Sequence, residues 1–387
     1  MRLSSRVASL PPYLFAEIER KVAARRAAGA DIISLGIGDP DLPTPPHIVA
    51  ALAAAAADPA THQYPSNRGE RGFRDAVVGY YERRFGVALD PETEVMPLLG
   101  AKEGIAHVCL ALLDQDEVCL AADPGYPVYA TGPLLAGGRA VPLPLRAELG
   151  FQPDLEAIPA DALAAAKFFF VGYPNNPTGA VIEDDFFARL VEFARRHDLV
   201  VVHDNAYADI TFDGYVAPSF LETPGAKEVG VELFSLSKSY NMTGWRAGAV
   251  VGNAEVVDAF WRLKTNMDSG MFAAVQRAAA AALDGPQDCV REMCEVYRRR
   301  RDLLVPALRR VGLEAASPKG TIYLWAPVPA GHTSGSFADL VLSQADVIVS
   351  PGAAYGPSGE GYVRLSLTVG DERLEEAVRR IEERVRL

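Results

Sequence analysis

Cysteine is scarce in this chain. Its 387 residues hold four, Cys109, Cys119, Cys289 and Cys294. Four are too few for a disulfide scaffold, and none forms the Cys-x-x-Cys pair that commonly holds zinc. They read as small buried apolar residues. Long apolar runs are also missing. None approaches the ~20 residues that span a membrane. The opening stretch MRLSSRVASLPPYLF lacks the continuous apolar segment of a signal peptide. These features predict a cytoplasmic setting and no membrane partner. Positive charge is in deficit, with 38 Lys and Arg against 50 Asp and Glu, a net charge of −12. A protein that neutralises nucleic-acid phosphates needs the opposite balance, so no nucleic-acid partner is expected. The one basic run, Arg298–Arg301, sits among Glu292, Glu295 and Asp302 and is expected to be a solvated helix face. There is no solenoid repeat, no Gly/Ser linker, no Gly-x-Ser-x-Gly elbow and no P-loop. Gly36-Ile37-Gly38-Asp39-Pro40-Asp41 starts like a dinucleotide fingerprint, but it lacks the third glycine and carries a helix-hostile proline.

What is present is an alternation. Val118–Ala121, Lys167–Gly172 (KFFFVG), Leu199–His203 (LVVVH) and Leu233–Leu236 are short apolar runs of buried-strand type. Between two of them, Asp184–His197 has Phe186, Phe187, Leu190, Val191 and Phe193 on one helical face. Ala50–Ala57 reads as helix on alanine propensity. Apolar strands separated by helices imply a parallel sheet covered on both faces, an α/β fold. After about residue 285 the pattern changes. A helix over roughly Gln287–Val311, expected to be interrupted at Pro306, precedes short strands near Thr321–Ala326 and Tyr362–Leu367 and a last helix from Glu372. The expected division is an N-terminal arm (1–45) packing with a smaller C-terminal α+β domain (285–387), and a large domain (46–284) between them.

Ligands in open α/β sheets bind at the carboxyl ends of the strands. Those ends carry Gly100-Ala101-Lys102, then Asp123-Pro124-Gly125-Tyr126, then YPNNPTG (173–179), then Asp204 and Tyr207, and finally Ser235, Ser237 and Lys238. A lone lysine among hydroxyls, an aspartate at a strand end, an asparagine and tyrosines are the equipment for pyridoxal 5'-phosphate. That cofactor needs a lysine for covalent attachment and a carboxylate for its ring nitrogen. Asn176 and Tyr207 can hydrogen-bond its phenolic oxygen, and Tyr126 can stack on its ring. The backbone N–H groups opening a helix at Ala101 and Lys102, the hydroxyls of Ser235 and Ser237, and Arg246 suit its phosphate. Gly244 and Gly248 are expected to give the tight turn that brings Arg246 back to that phosphate.

YPNNPTG (173–179), HDNAY (203–207), SLSKSYNMTGWRAG (235–248) and YVRLSL (362–367) together resemble the class I/II aminotransferases, enzymes of the fold-type-I pyridoxal-phosphate transferases. GIGDPDLPTPPHI, HQYPSNRGERGFRDAV, LLGAKEGIAH and ADPGYPVY resemble, more narrowly, the LL-diaminopimelate aminotransferases. Two positions depart from that narrower pattern: Asn205 where a small residue is common, and Ala101 where serine is frequent. The resemblance implies a large domain with a mostly parallel seven-stranded sheet plus a smaller α+β domain. It implies Lys238 as the covalent anchor, Asp204 as the ring-nitrogen partner and Tyr207 as a third catalytic residue. Arg364 resembles the residue gripping the substrate α-carboxylate, with Asn176 and the backbone of Gly38. Tyr64 resembles a residue reaching the neighbouring subunit's cofactor phosphate, so a homodimer with shared active sites is expected.

The implied activity is ping-pong transfer of an amino group from an L-amino acid, LL-2,6-diaminopimelate or an acidic one, to 2-oxoglutarate. The implied partners are small amino acids and 2-oxo acids, and no metal is expected. A broad aspartate/alanine-type aminotransferase and a pyridoxal-phosphate C–S β-lyase share the same cofactor residues and stay open.

Overall fold

A computed structural model describes residues 3–11 and 14–386, and side chains from Glu19 onward after the short first segment. Residues 1, 2, 12 and 13 of the expected N-terminal arm lie outside the described residues. The strands, in chain order, are β1 (Ile33–Ser34), β2 (Val95–Leu98), β3 (Val118–Asp123), β4 (Arg139–Pro144), β5 (Ala166–Val171) and β6 (Val200–Asn205). They continue with β7 (Gly230–Ser235), β8 (Gly248–Gly252), β9 (Tyr323–Pro327), β10 (Val347–Ile348), β11 (Ser350–Pro351) and β12 (Tyr362–Ser366).

Seven of these form one sheet in the order β2-β8-β7-β6-β5-β3-β4. Only β8 runs against its neighbours, so the sheet is mostly parallel, as expected. The central strands are apolar on both faces because helices cover both. Phe168 and Phe170 of β5 pack in the cluster that holds Ile105 and Val108 of the helix Ala101–Leu112. Phe169 and Val171 point the other way, into the cluster holding Phe186, Leu190 and Val191 of the helix Phe186–His197. This is the period-2 alternation of a strand buried on two sides.

A second, three-stranded antiparallel sheet has the order β11-β12-β9. It shares an apolar cluster with the helices Asp288–Arg310 and Asp371–Arg384. The chain's early segment joins it: β1 pairs in parallel with β10, and Ile33 and Leu35 are buried in the same cluster.

Two sequence expectations fail here. The helix Asp288–Arg310 runs unbroken through Pro306. Pro306 lies on the exposed side of the helix, while Met293, Tyr297, Leu304, Ala307 and Leu308 anchor the other. The Asp302 carbonyl deprived of a donor therefore faces water, and burial on both sides of the proline outweighs its penalty of about 3 kcal/mol. The basic run is not a solvated face either. Arg300 and Arg301 are buried, although Arg299 is exposed. Arg300 holds Asp41 through two bonds of 2.7 and 2.9 Å and donates to Asp371 at 2.7 Å. Arg301 holds Asp213 at 2.6 and 3.0 Å. A charge run on a helix spreads around the axis at about 100° per residue, so two of its four members turn inward.

Candidate active site

The carboxyl ends of β5, β6 and β7 open on a cavity of about 530 Å³. Its far wall comes from Gly38, Tyr323 and Arg364. Each element delivers its side chain by a local device. β7 ends at Ser235, whose hydroxyl accepts the Ser237 N–H at 3.2 Å and caps the single turn Leu236–Ser239. That turn throws Lys238 into the cavity, where its Nζ donates to the Gly38 carbonyl at 2.8 Å. Asp204 and Asn205, adjacent on β6, point to opposite faces, as strand geometry requires. Asp204 enters the cavity. Asn205 points behind it and donates to Glu232 at 3.1 Å, in a buried network with His203 and Tyr81. The departure at Asn205 thus serves the support behind the site.

One end of the cavity is rich in donors. The helix Ala101–Leu112 begins there behind Gly100, an N-cap residue with no side chain to cap it. Arg246 lies against Gly100, where an added Cβ would meet its Nη2 at 2.5 Å. It donates to the carbonyls of Thr243 at 2.9 Å and Leu99 at 3.0 Å. The turn that returns it is made otherwise than expected. Arg246 itself takes the left-handed conformation, at φ 57°, while Gly244 and Gly248 do not. Gly248 is needed for closeness instead, since a Cβ there would lie 2.6 Å from the Phe234 carbonyl.

At the other end stands Arg364, 2% exposed at the centre of β12. It donates to Asn176 Oδ1 at 2.8 Å and to the Gly36 carbonyl at 2.9 Å. Its guanidinium lies 3.9 Å from the Tyr323 ring centroid and 4.7 Å from that of Tyr355. Its Nε is buried without a partner.

Of the thirteen residues singled out in the sequence, twelve line this one cavity: Gly38, Ala101, Lys102, Tyr126, Asn176, Asp204, Tyr207, Ser235, Ser237, Lys238, Arg246 and Arg364. Tyr64 does not. It is 88% exposed and does not line its own chain's cavity. Two residues went unnoticed. Tyr129 donates to Asp204 Oδ2 at 2.8 Å while its ring stacks on Phe170 at 4.9 Å. Its sequence signal was its place three residues after Tyr126. Tyr323 faces the Tyr207 hydroxyl at 3.0 Å. It sits in an apolar strand, and nothing in GTIYLW distinguishes it from core.

Asp204 is the atom-level oddity of the site. Tyr129 satisfies Oδ2, but Oδ1 is buried with no partner. Burial pushes the Asp204 carboxyl above the ordinary range, against the Tyr129 bond and the nearby charges of His203 and Lys238. A carboxylate held this way awaits a cationic N–H donor.

The family model described as Aminotransferase class I and II matches residues 30–381. The chain belongs to this family. Among its relatives, an LL-diaminopimelate aminotransferase of Desulforudis audaxviator is 56% identical over 378 residues, 98% of this chain and 96% of that one. One of Dehalococcoides mccartyi is 55% identical, covering 98% of both. Of solved structures, apo-BacF from Bacillus subtilis aligns with a TM-score of 0.95 at 40% identity, over 99% of this chain and 98% of that one. The aspartate aminotransferase of Thermus thermophilus with maleate aligns at 0.90 and 31% identity, over 99% of each.

The aminotransferase uses pyridoxal 5'-phosphate, and its cavity fits that group on its own terms. The unpartnered Asp204 Oδ1 suits a ring N–H. The uncapped helix start beside Arg246 suits a phosphate. Lys238 lines the same cavity. Among the described residues no helix is long and apolar enough to cross a membrane, and no cluster of acidic, histidine or cysteine side chains forms a metal site.

Proposed function

We propose that the aminotransferase moves the amino group of LL-2,6-diaminopimelate, or of a related acidic amino acid, to 2-oxoglutarate in two half-reactions. The observation that carries this reading is a pair of unsatisfied groups on residues that line one cavity together with Lys238. Asp204 Oδ1 has no donor, and Arg364 Nε has no acceptor. A pyridinium N–H suits the first and an α-carboxylate the second. The names of the relatives at 55 and 56% identity supply the donor.

When bound, pyridoxal phosphate supplies an electron-withdrawing ring that makes the substrate Cα–H acidic. The protein would do the rest. Lys238 would hold the cofactor covalently and, once displaced, move the proton from Cα with its Nζ. Asp204 would keep the ring nitrogen protonated. Asn176 turns Oδ1 to Arg364, which leaves its Nδ2 for the ring oxygen, beside Tyr207. Tyr126 would stack on the ring. Ala101 and Lys102 N–H groups, Ser235, Ser237 and Arg246 would hold the phosphate. Arg364 has used two of five N–H donors on Asn176 and Gly36, so three remain for a carboxylate. Fixing that carboxylate would orient the Cα–H bond.

The reading includes a cytoplasmic homodimer in which the exposed Tyr64 of each subunit reaches the phosphate of the other site. It also keeps the division into an arm (1–45), a large domain (46–284) and a small domain (285–387), which the two separate sheets and their clusters support. A donor panel against 2-oxoglutarate tests the function, with LL-diaminopimelate, aspartate, alanine and aromatic amino acids. The expected result is the highest kcat/KM with LL-diaminopimelate. An aromatic or alanine preference overturns the substrate assignment. Pyruvate released from a β-substituted donor without an acceptor overturns transamination as the main reaction.

A further inference from the structure

Tyr323 joins two parts of the site. Its ring covers the Arg364 guanidinium at 3.9 Å, and its hydroxyl meets that of Tyr207 at 3.0 Å. The two phenol rings cross edge to face, 5.7 Å apart at 69°. Both residues are buried. The space for the Tyr323 hydroxyl exists because residue 38 is glycine: a Cβ there would lie 2.1 Å from it. The same residue's carbonyl accepts Lys238 Nζ. An oxygen placed against a backbone with no room for a methyl group is placed with precision.

We propose that Tyr323 is a positioning residue that donates its phenolic proton to Tyr207, so that Tyr207 keeps its own proton for the cofactor's ring oxygen, while the Tyr323 ring holds Arg364 flat. This rests on the roles given above to Tyr207 and Arg364.

Each phenol has one proton and can also accept. If Tyr207 spends its proton on Tyr323, none is left for the ring oxygen. If Tyr323 donates, Tyr207 is both oriented and polarised, and chained hydrogen bonds strengthen one another. The contact itself admits either donor, so the direction follows from the role of Tyr207, whose own proton goes to the ring oxygen. Arg364, Lys238 and Asp39 face Tyr323, and Arg364 and Asp204 face Tyr207. Burial alone would raise both phenols. At Tyr323 the Arg364 and Lys238 cations outweigh burial and hold it below the ordinary value. At Tyr207 burial prevails, with Tyr323 adding to it, and pushes it well above.

The test is a pH titration of the bound cofactor's visible absorbance, in the wild type, Tyr323→Phe, Tyr207→Phe and the double variant. A donor to the ring oxygen favours the deprotonated chromophore, so Tyr207→Phe is expected to raise the midpoint. Tyr323→Phe is expected to raise it less, by a roughly 2- to 10-fold change in the proton dissociation constant, the ordinary worth of one hydrogen bond. The double variant is expected to match Tyr207→Phe. A wild-type midpoint for Tyr323→Phe beside a shifted one for Tyr207→Phe overturns the inference alone. Fully additive shifts overturn it too, because Tyr323 would then act without Tyr207. No shift for Tyr207→Phe overturns the underlying role and the inference with it. Tyr323→Leu adds a second readout: loss of the ring should raise the KM for the donor several-fold beyond that of Tyr323→Phe. Equal KM values in the two variants overturn the part played by the ring.

Discussion

On one side of the cavity, β6 and β7 end in short polar groups delivered within a few residues of the strand. Asp204, Ser235, Ser237 and Lys238 occupy fixed places because one strand end and one capped turn fix them. On the other side, Tyr323 and Arg364 stand diagonally on the antiparallel pair β9 and β12. They meet Gly36 and Gly38, and the bond from Arg364 to the Gly36 carbonyl spans 328 positions of chain. The first side is placed mainly by local chemistry, with one distant bond each on Asp204 and Lys238, and the second by distant parts of the chain arriving together. The first should therefore tolerate distant changes, whereas the second should feel them.

The sharpest way to test the first side is Lys238→Ala. Its expected effect is the largest, a loss of turnover of about 10⁴-fold or more. Mass spectrometry after borohydride reduction should show no cofactor attached to the chain. Persistent turnover with attached cofactor would mean another lysine is the anchor.

The next largest effects belong to the second side. Arg300→Ala leaves Asp41 without its bidentate partner, at an expected cost of about 3 kcal/mol. This figure is at the lower end for a broken buried pair, because Asp371 is more than half exposed. The change also loosens the segment carrying Gly36 and Gly38. Thermal denaturation should show the lost stability, and kinetics a raised KM for the donor. A lowered melting temperature with unchanged KM would break the comparison. Arg364→Lys replaces a planar fork by a point charge. The expected fall in kcat/KM is roughly 10²-fold, most of it in KM. Steady-state kinetics measure this, and an unchanged value would place the carboxylate elsewhere.

The smallest effect is expected from Gly38→Ala. Its methyl group meets the Tyr323 hydroxyl at 2.1 Å, an overpacking of about 1–3 kcal/mol. Activity should fall about tenfold. Gly36→Ala offers the control, since the nearest atom to its Cβ is a side-chain methyl at 3.1 Å. Equal losses in the two variants would mean that crowding in general, not the Tyr323 hydroxyl, sets the effect.

The same contrast explains what could be read in the sequence. Four strands of the seven-stranded sheet were legible because they are apolar on both faces and end in turn residues, while the count of seven came only with the family resemblance and β4 is largely exposed. The first wall was legible because its groups lie close together in the chain. Lys238 among hydroxyls and Asp204 at the end of LVVVH carry their chemistry in a few letters. Tyr323 carries none. Its hydroxyl matters only because β9 pairs with β12 and because residue 38 has no side chain. Arg300 and Arg301 misled for the opposite reason: charge predicts solvent until partners such as Asp41 and Asp213 arrive from far away. Arg246 misled through its backbone. A left-handed turn is usually assigned to a neighbouring glycine, and here the arginine takes it.

The segment Gly36-Ile37-Gly38 also has a metrical consequence. Its three successive carbonyls are taken by Arg364, Thr368 and Lys238. The two cations, which come from different sheets, are thus tethered to points two residues apart on one short length of main chain, no more than roughly 7 Å. Under the roles proposed for Lys238 and Arg364, the backbone would act as a gauge block between the lysine and the carboxylate grip. In those roles, this short length of main chain would limit how far the lysine amine stands from the substrate carboxylate, whatever side chain lies beyond.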